Sequence, residues 1–335
     1  MGARLVIGEQ TWPLEPGFRA SDLPNSNWAQ AIGSAVENWF SDAQNVAFRT
    51  SGSTGIPKEI VHTKQAMMAS AQRTIEALEL NAETRAWLAM PVAFVGGFMM
   101  VVRAVVGGWT LVATEPRVTL LAPEGIDFVA LTPLQARANR IELEKVKKVL
   151  LGGAPAGGSN WGGGEVWESF GMTETISHIA LRRLKPKSAF PAFEVVRDVT
   201  VSSDANGCLV IEAPHLFAGK LFTRDEVEVL SPRHFLWKGR SDEAINTGGL
   251  KVHPSEVEAA AREVVDFPCV AYGAPHDALG EQVVLALHGQ GTEEEAEQIR
   301  RVLVERLPRH HAPKRVEFRT LEQTPSGKWI RPHRR

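Results

Sequence analysis

Thr50-Ser51-Gly52-Ser53-Thr54-Gly55-Ile56-Pro57-Lys58 follows a short apolar run, Val46-Ala47-Phe48, and precedes a segment with helical periodicity. Hydroxyls, glycines and a lysine gathered in so short a loop make a polyphosphate cradle. Gly52 and Gly55 let the backbone bend and approach where a Cβ would clash. Backbone N–H groups, the hydroxyls of Thr50, Ser51, Ser53 and Thr54, and the Lys58 ammonium can then face phosphate oxygens. The common ATPase loop places Gly-Lys-Ser/Thr after four spacer residues. Here Lys58 follows Pro57 and precedes Glu59, so no hydroxyl stands next to it for a magnesium ion.

Three further segments follow in order. They are Ser169-Phe170-Gly171-Met172-Thr173-Glu174-Thr175, the stretch from Gly239 to Glu258 that contains Asp242 and Gly248-Gly249-Leu250-Lys251, and Pro325-Ser326-Gly327-Lys328-Trp329-Ile330-Arg331. With the first loop they span most of the chain, and as an ordered set the sequence resembles the acyl-adenylate-forming superfamily of acyl-CoA and aryl-CoA ligases, peptide-synthetase adenylation domains and luciferases. The resemblance implies an α/β fold. A large N-terminal α/β domain, abbreviated because the first motif begins at Thr50, would be joined to a small mobile C-terminal α+β domain. The domains would cover 1–240, binding ATP and the acid, and 241–335, carrying an adenylation lysine, with a hinge near Asp242.

Bulk properties agree with an ordinary globular chain. It has 335 residues, 44% hydrophobic and 23% charged, enough to bury a sizeable core and divide into two domains. A net charge of −2 gives no electrostatic case for nucleic acid or an anionic membrane. The most apolar stretch, 92–106, is interrupted by Arg103 and is shorter than the roughly 20 residues of a membrane span. No charged-then-apolar leader opens the chain, so a cytoplasmic location without membrane insertion is expected. Cys208 and Cys269 sit in apolar runs and read as core residues, not as a disulfide framework or zinc site.

Periodicity supplies the elements. Met68, Ala71, Ile75 and Leu78 mark one helical face over 65–79. Apolar runs at 86–90, 109–113, 128–131, 149–151 and 208–211 read as strands, and the glycine-rich 152–164 as a loop. After Arg240 a helix should begin at Pro254-Ser255-Glu256 and bury Val257, Ala261, Val264 and Val265. A strand at 283–288 and a helix near 293–307, burying Ile299, Val302, Leu303 and Leu307, follow.

The resemblance assigns roles residue by residue. The Thr50–Lys58 loop would hold the β- and γ-phosphates of ATP, Thr173 would touch phosphate, and Glu174 would bind Mg2+. Gly153-Ala154-Pro155 would line the adenine, with the Phe170-Gly171 pair beside it. Asp225 would accept the ribose hydroxyls, assisted by Arg240. Lys328 would bridge the substrate carboxylate and the α-phosphate. Gly249 and Lys251 would then border the path of coenzyme A after the small domain turns, although Gly248-Gly249 could instead only shape a hairpin. Such chemistry requires no general base, since a carboxylate is ionised at neutral pH; it requires positive charge and in-line placement.

The stretch Met90 to Arg103 and the run Ser177-His178-Ile179-Ala180-Leu181-Arg182-Arg183-Leu184 resemble the o-succinylbenzoate–CoA ligases of menaquinone biosynthesis. Their substrate keeps a second carboxylate, which calls for a cation in the acyl site, and Arg103 is a lone arginine in an apolar run. Phe94, Gly97, Gln135 and His178 join it as acid-binding candidates. Arg103 could instead reach the surface or pair with a structural acid, and Phe94 and His178 could serve packing alone. The partners implied are a small-molecule carboxylic acid, ATP and coenzyme A. A ligase for another acid, a module that loads a separate carrier protein, and a noncatalytic nucleotide-binding relative are the competing readings.

Overall fold

The computed structural model describes residues 2–50, 58–157, 161–186, 191–324 and 329–332. The chain divides into two units, Met1–Ala156 with Trp161–Thr200 and Glu212–Lys220, and Gly157–Asn160 with Val201–Ile211 and Leu221–Arg335. The boundary expected near Arg240 falls inside the second.

In chain order the first unit contains β1 (Arg4–Ile7), β2 (Gln10–Pro13), α1 (Asn27–Phe40), β3 (Asn45–Thr50), β4 (Lys58–Thr63), α2 (Lys64–Ala77), β5 (Arg85–Leu88) and α3 (Val95–Gly107). It continues with β6 (Thr110–Ala113), β7 (Phe128–Leu131), α4 (Pro133–Ala138), α5 (Arg140–Leu143), β8 (Lys148–Leu151), β9 (Glu165–Gly171), β10 (His178–Lys185) and β11 (Phe193–Val195). Strands β1, β6, β5, β7, β8 and β9 lie side by side and parallel. Antiparallel β2 flanks them at one side and antiparallel β10 and β11 at the other. The apolar runs are continuous because both faces are covered. Leu88, Leu111, Phe128 and Leu150 pack with α1, α2 and α3 on one face, while Trp87, Val112, Val129, Val149 and Leu151 pack with Ala136, Leu143 and Val146 on the other.

Two local expectations change. Lys58 opens a strand, not a loop-to-helix junction: β3 and β4 form an antiparallel pair with Thr50 opposite Lys58. Helix α2 starts only at Lys64, capped by the Thr63 hydroxyl, which accepts from the Ala66 N–H. On that helix Met68 is exposed, whereas Met67, Ala71, Ile75 and Leu78 are buried. The apolar stripe lies one residue round from Met68, and an unbranched methionine tolerates the solvent side.

The second unit begins with β12 (Thr200–Ser203), β13 (Cys208–Glu212), β14 (Lys220–Ser231) and β15 (His234–Arg240), hydrogen-bonded in that order. It goes on through β16 (Ile245–Thr247), β17 (Leu250–Val252), α6 (Pro254–Ala261), β18 (Cys269–His276), β19 (Gly280–His288), α7 (Glu293–Arg306) and β20 (Arg315–Arg319). Helix α6 has proline in its first turn and buries Val257 and Ala261, but it ends at Ala261, so Val264 and Val265 pack from the segment beyond it. Helix α7 opens with a capping box between Thr292 and Glu295 and buries Leu303, with Ile299 and Leu307 packed beside it. Cys208 and Cys269 are both buried free thiols. No helix among the described residues is long and apolar enough to cross a membrane.

Gly97 sits where α3 begins, and a Cβ there would stand 2.3 Å from the Pro91 carbonyl oxygen. Gly97→Ala should therefore push the first turn of α3 off the β5 end and destabilise the first unit by about 1–3 kcal/mol in denaturant titration.

Candidate active site

A parallel ladder leaves its functional groups at one edge, because each strand's carboxyl end opens into a loop that the ladder does not constrain. Four neighbouring strands deliver sequence-derived candidates to that edge. After β5 come Met90, Pro91 and Phe94; after β7, Thr132 and Gln135; after β8, Gly153-Ala154-Pro155; after β9, Thr173 and Glu174. Antiparallel β10 adds His178 at its amino end, opposite Gly171.

The turn after β9 is built tightly. A Cβ on Gly171 would stand 2.2 Å from the Ser177 carbonyl oxygen, so glycine is required by the approach of β10 itself. Residues Thr173–Thr175 make a short 3-10 turn, in which the Thr175 hydroxyl accepts from the Met172 N–H at 3.0 Å. Ile176 follows at φ +66° and ψ −56°, fully buried, and the Ser177 N–H donates to the Thr175 carbonyl at 2.7 Å. This is a γ-turn centred on a β-branched residue in a sparsely populated conformation, which costs on the order of 1–3 kcal/mol. It leaves Glu174 exposed while turning Ser177 inward. His62, on β4, donates from Nε2 to the Thr173 carbonyl at 2.6 Å. Burial pulls this imidazole below its ordinary value against the opposing influence of that carbonyl and of Glu174.

Arg103 is 2% exposed, so it does not reach the surface. Its Nε donates to the Thr74 hydroxyl at 3.2 Å and its Nη2 to the Ser177 hydroxyl at 2.6 Å, while Nη1 meets only the Met100 sulfur at 3.8 Å. No ion pair with a carboxylate forms among the described residues. Burial lowers its pKa to about 10. His178 closes the arrangement: Nε2 lies 3.3 Å from the Thr74 hydroxyl and Nδ1 3.2 Å from the Ser177 hydroxyl. Thr74 donates to the Ser70 carbonyl at 3.2 Å, which leaves its oxygen to accept from Arg103 and from a proton on His178 Nε2; Ser177 then donates to Nδ1. Burial, reinforced by the Arg103 charge, takes His178 down to about 3, so the ring is neutral.

The remaining first-unit candidates divide. Gln135 spends its amide inside the protein, accepting from Thr132 and donating to the Ala89 and Arg117 carbonyls at 2.9 and 3.0 Å; it braces the ends of β5 and β7. Phe94 caps α3 half-buried, and Gly97 packs on Pro91. Gly153, at φ +84°, and Ala154 are exposed, on a loop tied down by the Ala156 N–H donating to Glu168 at 2.8 Å, with Glu168 itself paired to Arg182. The Phe170 ring lies 5.7 Å from that of Phe193. Thr50 and Lys58 frame the phosphate loop, whose residues Ser51, Gly52, Ser53, Thr54 and Gly55 lie outside the described residues.

The second unit holds the others. Asp225 is buried on β14 opposite Arg240; its Oδ1 accepts from the Trp237 indole at 2.9 Å, and Arg240 stands 3.8 Å from Oδ2. Burial raises this carboxyl above its usual value, with Trp237 and Arg240 working the other way. Arg240 grips Asp242 with two hydrogen bonds of 3.0 and 2.8 Å. Gly248 and Gly249 have φ of +58° and +78° and join β16 to β17 as a two-residue hairpin, and nothing lies within 4 Å of a Cβ on Gly249. Lys251 pairs with Glu226, which also binds His253 at 3.1 Å. Lys328 lies outside the described residues. Beyond it, Arg331 is clasped by Glu243 at 3.1 Å and Glu258 at 2.7 Å.

Among the described residues no cluster of three histidine, cysteine or carboxylate groups could cage a metal ion by itself. Magnesium usually takes one or two carboxylates and completes its octahedron from water and substrate phosphates. An exposed Glu174 is suited to such a role. Sequence reasoning did not find Thr74, Ser177, His62 or Ile176. Threonine in a helix, serine after a motif and histidine in a polar strand carry no periodic signal, and only the packing of α2, α3 and β4 against the β9–β10 turn brings them together.

Two measurements follow. Unfolding returns His178 to its ordinary value of 6.5, so the folded protein takes up fewer protons between about 3 and 6.5. Stability should be full above pH 6.5 and decline below it, by up to about 1.4 kcal/mol per pH unit, and His178→Gln should flatten that slope. Arg103→Met, which replaces an unpaired buried cation by an apolar chain of similar length, should leave the midpoint of thermal unfolding unchanged or raise it; a loss of several kcal/mol would mark the arginine as structural.

A family model described as AMP-binding enzyme matches residues 20–219. The 2-succinylbenzoate–CoA ligase of Listeria monocytogenes serotype 4b (strain F2365) is 29% identical, across 88% of this chain and 70% of its own. The chain spans 65–70% of the length of the curated relatives of this kind. An acyl-CoA synthetase (AMP-forming)/AMP-acid ligase II-like protein from Dyadobacter fermentans DSM 18053 superposes with a TM-score of 0.57 at 29% identity, covering 91% of this chain and 93% of that one. The o-succinylbenzoate CoA synthetase of Bacillus subtilis, solved with the acyl-adenylate intermediate OSB-AMP, shares the fold with a TM-score of 0.70 at 19% identity, over 84% of this chain and 67% of its own. By the match over 20–219, added to the ordered motifs and the edge they occupy, the chain belongs to the AMP-binding enzyme family.

Proposed function

We propose that this chain is an ATP-dependent ligase that converts o-succinylbenzoate to its coenzyme A thioester through an acyl-adenylate. The observation that carries the choice of acid is Arg103, a buried guanidinium whose oxygen partners are two hydroxyls and which pairs with no carboxylate among the described residues. A buried cation without a counterion is costly unless something anionic completes it. The second carboxylate of a dicarboxylic acid would do so, and a monocarboxylic apolar acid would not. Neutral His178 adds a polar wall without a second charge, which suits recognition of one anion by one cation.

In the first step an oxygen of the succinyl carboxylate attacks the α-phosphorus of ATP, the bond to the bridging oxygen breaks, and pyrophosphate leaves. Both reactants are anions, so the protein's task is to neutralise and align them. Lys58 and the hydroxyls of the phosphate loop would hold the β- and γ-phosphates, and Lys328 would stand between carboxylate and α-phosphate. Magnesium bound with ATP supplies charge neutralisation, and Glu174 is the side chain that would hold it. Asp225 would accept the ribose hydroxyls. In the second step the sulfur of coenzyme A attacks the acyl carbon, the bond to the phosphate oxygen breaks, AMP leaves and the thiol proton passes to solvent. Gly249 and Lys251 would border that approach after the small domain turns near Asp242.

The test is pyrophosphate release with ATP, magnesium, coenzyme A and a panel of acids, with the thioester followed by mass. Turnover confined to o-succinylbenzoate is expected. Arg103→Ala should lose about 10²-fold or more in kcat/KM on this dicarboxylate and far less on a monocarboxylate analogue. Equal losses on both acids would remove Arg103 from substrate recognition, and turnover on another acid alone would overturn the assignment.

A further inference from the structure

His62 plays no part in the chemistry described above, yet it connects two pieces of it that are 111 residues apart in sequence. It stands on β4, the strand whose first residue, Lys58, closes the phosphate loop opposite Thr50. Its ring is 7% exposed and packs at 6.3 Å from Phe48 on the paired strand. Its Nε2 reaches the carbonyl of Thr173, the residue before Glu174, at 2.6 Å. That carbonyl also accepts from the Ile176 N–H at 2.9 Å, so both of its lone pairs are filled, one within the turn and one from the hairpin.

The turn itself is over-determined on its other side. Gly171 is locked against Ser177 and His178, and the γ-turn at Ile176 fixes the exit of the chain. Glu174 is left as the exposed outer residue between these constraints. The His62 hydrogen bond relates it to the hairpin that frames the phosphate loop. We infer that His62 is a positioning residue: its N–H to the Thr173 carbonyl holds Glu174 at a fixed place relative to the β3–β4 hairpin that begins its second strand at Lys58, so that the proposed metal ligand and this hairpin meet one metal–nucleotide complex together. This rests on the reading of Glu174 as the magnesium ligand.

The experiment measures equilibrium binding of a fluorescent ATP analogue, with magnesium and with EDTA, to the intact chain and to variants whose folding is checked by thermal melting. For the unaltered chain, magnesium should tighten binding. His62→Leu should weaken binding in magnesium by about tenfold, the worth of one hydrogen bond that orders a ligand, and leave binding in EDTA unchanged. His62→Gln, whose amide nitrogen can take the place of Nε2, should return to within about threefold of the unaltered chain. In a Glu174→Gln background, His62→Leu should have no further effect, because the two act through one carboxylate.

Equal weakening in magnesium and in EDTA, or additive losses in the double variant, would reduce His62 to a packing residue and overturn the inference. Should His62→Leu fail to fold, His62→Gln against His62→Asn carries the same comparison. The shorter amide falls short of Thr173, so equal magnesium dependence in the two would overturn the inference as well. If the unaltered chain binds the nucleotide no better with magnesium, the reading of Glu174 fails and this inference with it. If only the variants behave otherwise than stated, the inference fails and that reading stands.

Discussion

Burying a guanidinium in a protein core costs several kcal/mol unless its donors are met. In this fold two donors of Arg103 meet oxygen, the Thr74 hydroxyl from α2 and the Ser177 hydroxyl from the β9–β10 turn, and His178 hydrogen-bonds to both hydroxyls. Three elements therefore converge on one side chain. Helix α3 contributes Arg103 from an otherwise apolar face, α2 contributes Thr74, and the turn has to deliver Ser177 inward to satisfy it. That requirement gives a physical reason for the left-handed backbone at Ile176. A relaxed turn would not bring the serine to the arginine, and the strain is held by the full burial of the isoleucine side chain.

The neutrality of His178 belongs to the same balance. A second cation next to Arg103 would repel it in a medium that screens poorly, and the ring instead acts as both donor and acceptor between two hydroxyls. The outcome is one isolated positive charge in a neutral hydrogen-bonded frame. Such an arrangement does little for stability and is suited to meeting a single anionic group, the role proposed for it toward the second carboxylate of the acid.

The second unit shows the same economy with charges paired instead of isolated. Arg240 grips Asp242 while standing near buried Asp225 on the paired strand, and Arg331 ties the segment after Lys328 to Glu243 and Glu258. Burial opposes the charge on Arg331, but the two carboxylates outweigh it and raise its pKa above the ordinary value. The residues proposed for ribose, hinge and adenylation lysine are thus flanked by ion pairs within a few residues of each.

The ordered motifs, the apolar runs of parallel strands β5, β6, β7 and β8, and the helix starts at Pro254 and Glu293 are legible in the sequence, because local periodicity and first-turn chemistry depend on neighbours a few residues away. Composition alone also marks Arg103 as anomalous, since it is one charge in an otherwise apolar run. What spacing could not show was whether that charge reached solvent, met an acid or remained alone, nor that Gln135 would turn its amide into a brace for two strand ends. Met68 shows the same limit, exposed where Met67 is buried: a stripe is fixed by what packs against it, to within one residue of rotation. Thr74, Ser177 and His62 acquire their roles only from partners up to 111 residues away. The sequence by itself thus determined the family of the fold and the identity of its motifs, which are local patterns; the tertiary structure alone decided which polar groups meet, because a hydrogen bond of about 3 Å is set by the packing of whole elements and not by the order of residues along the chain.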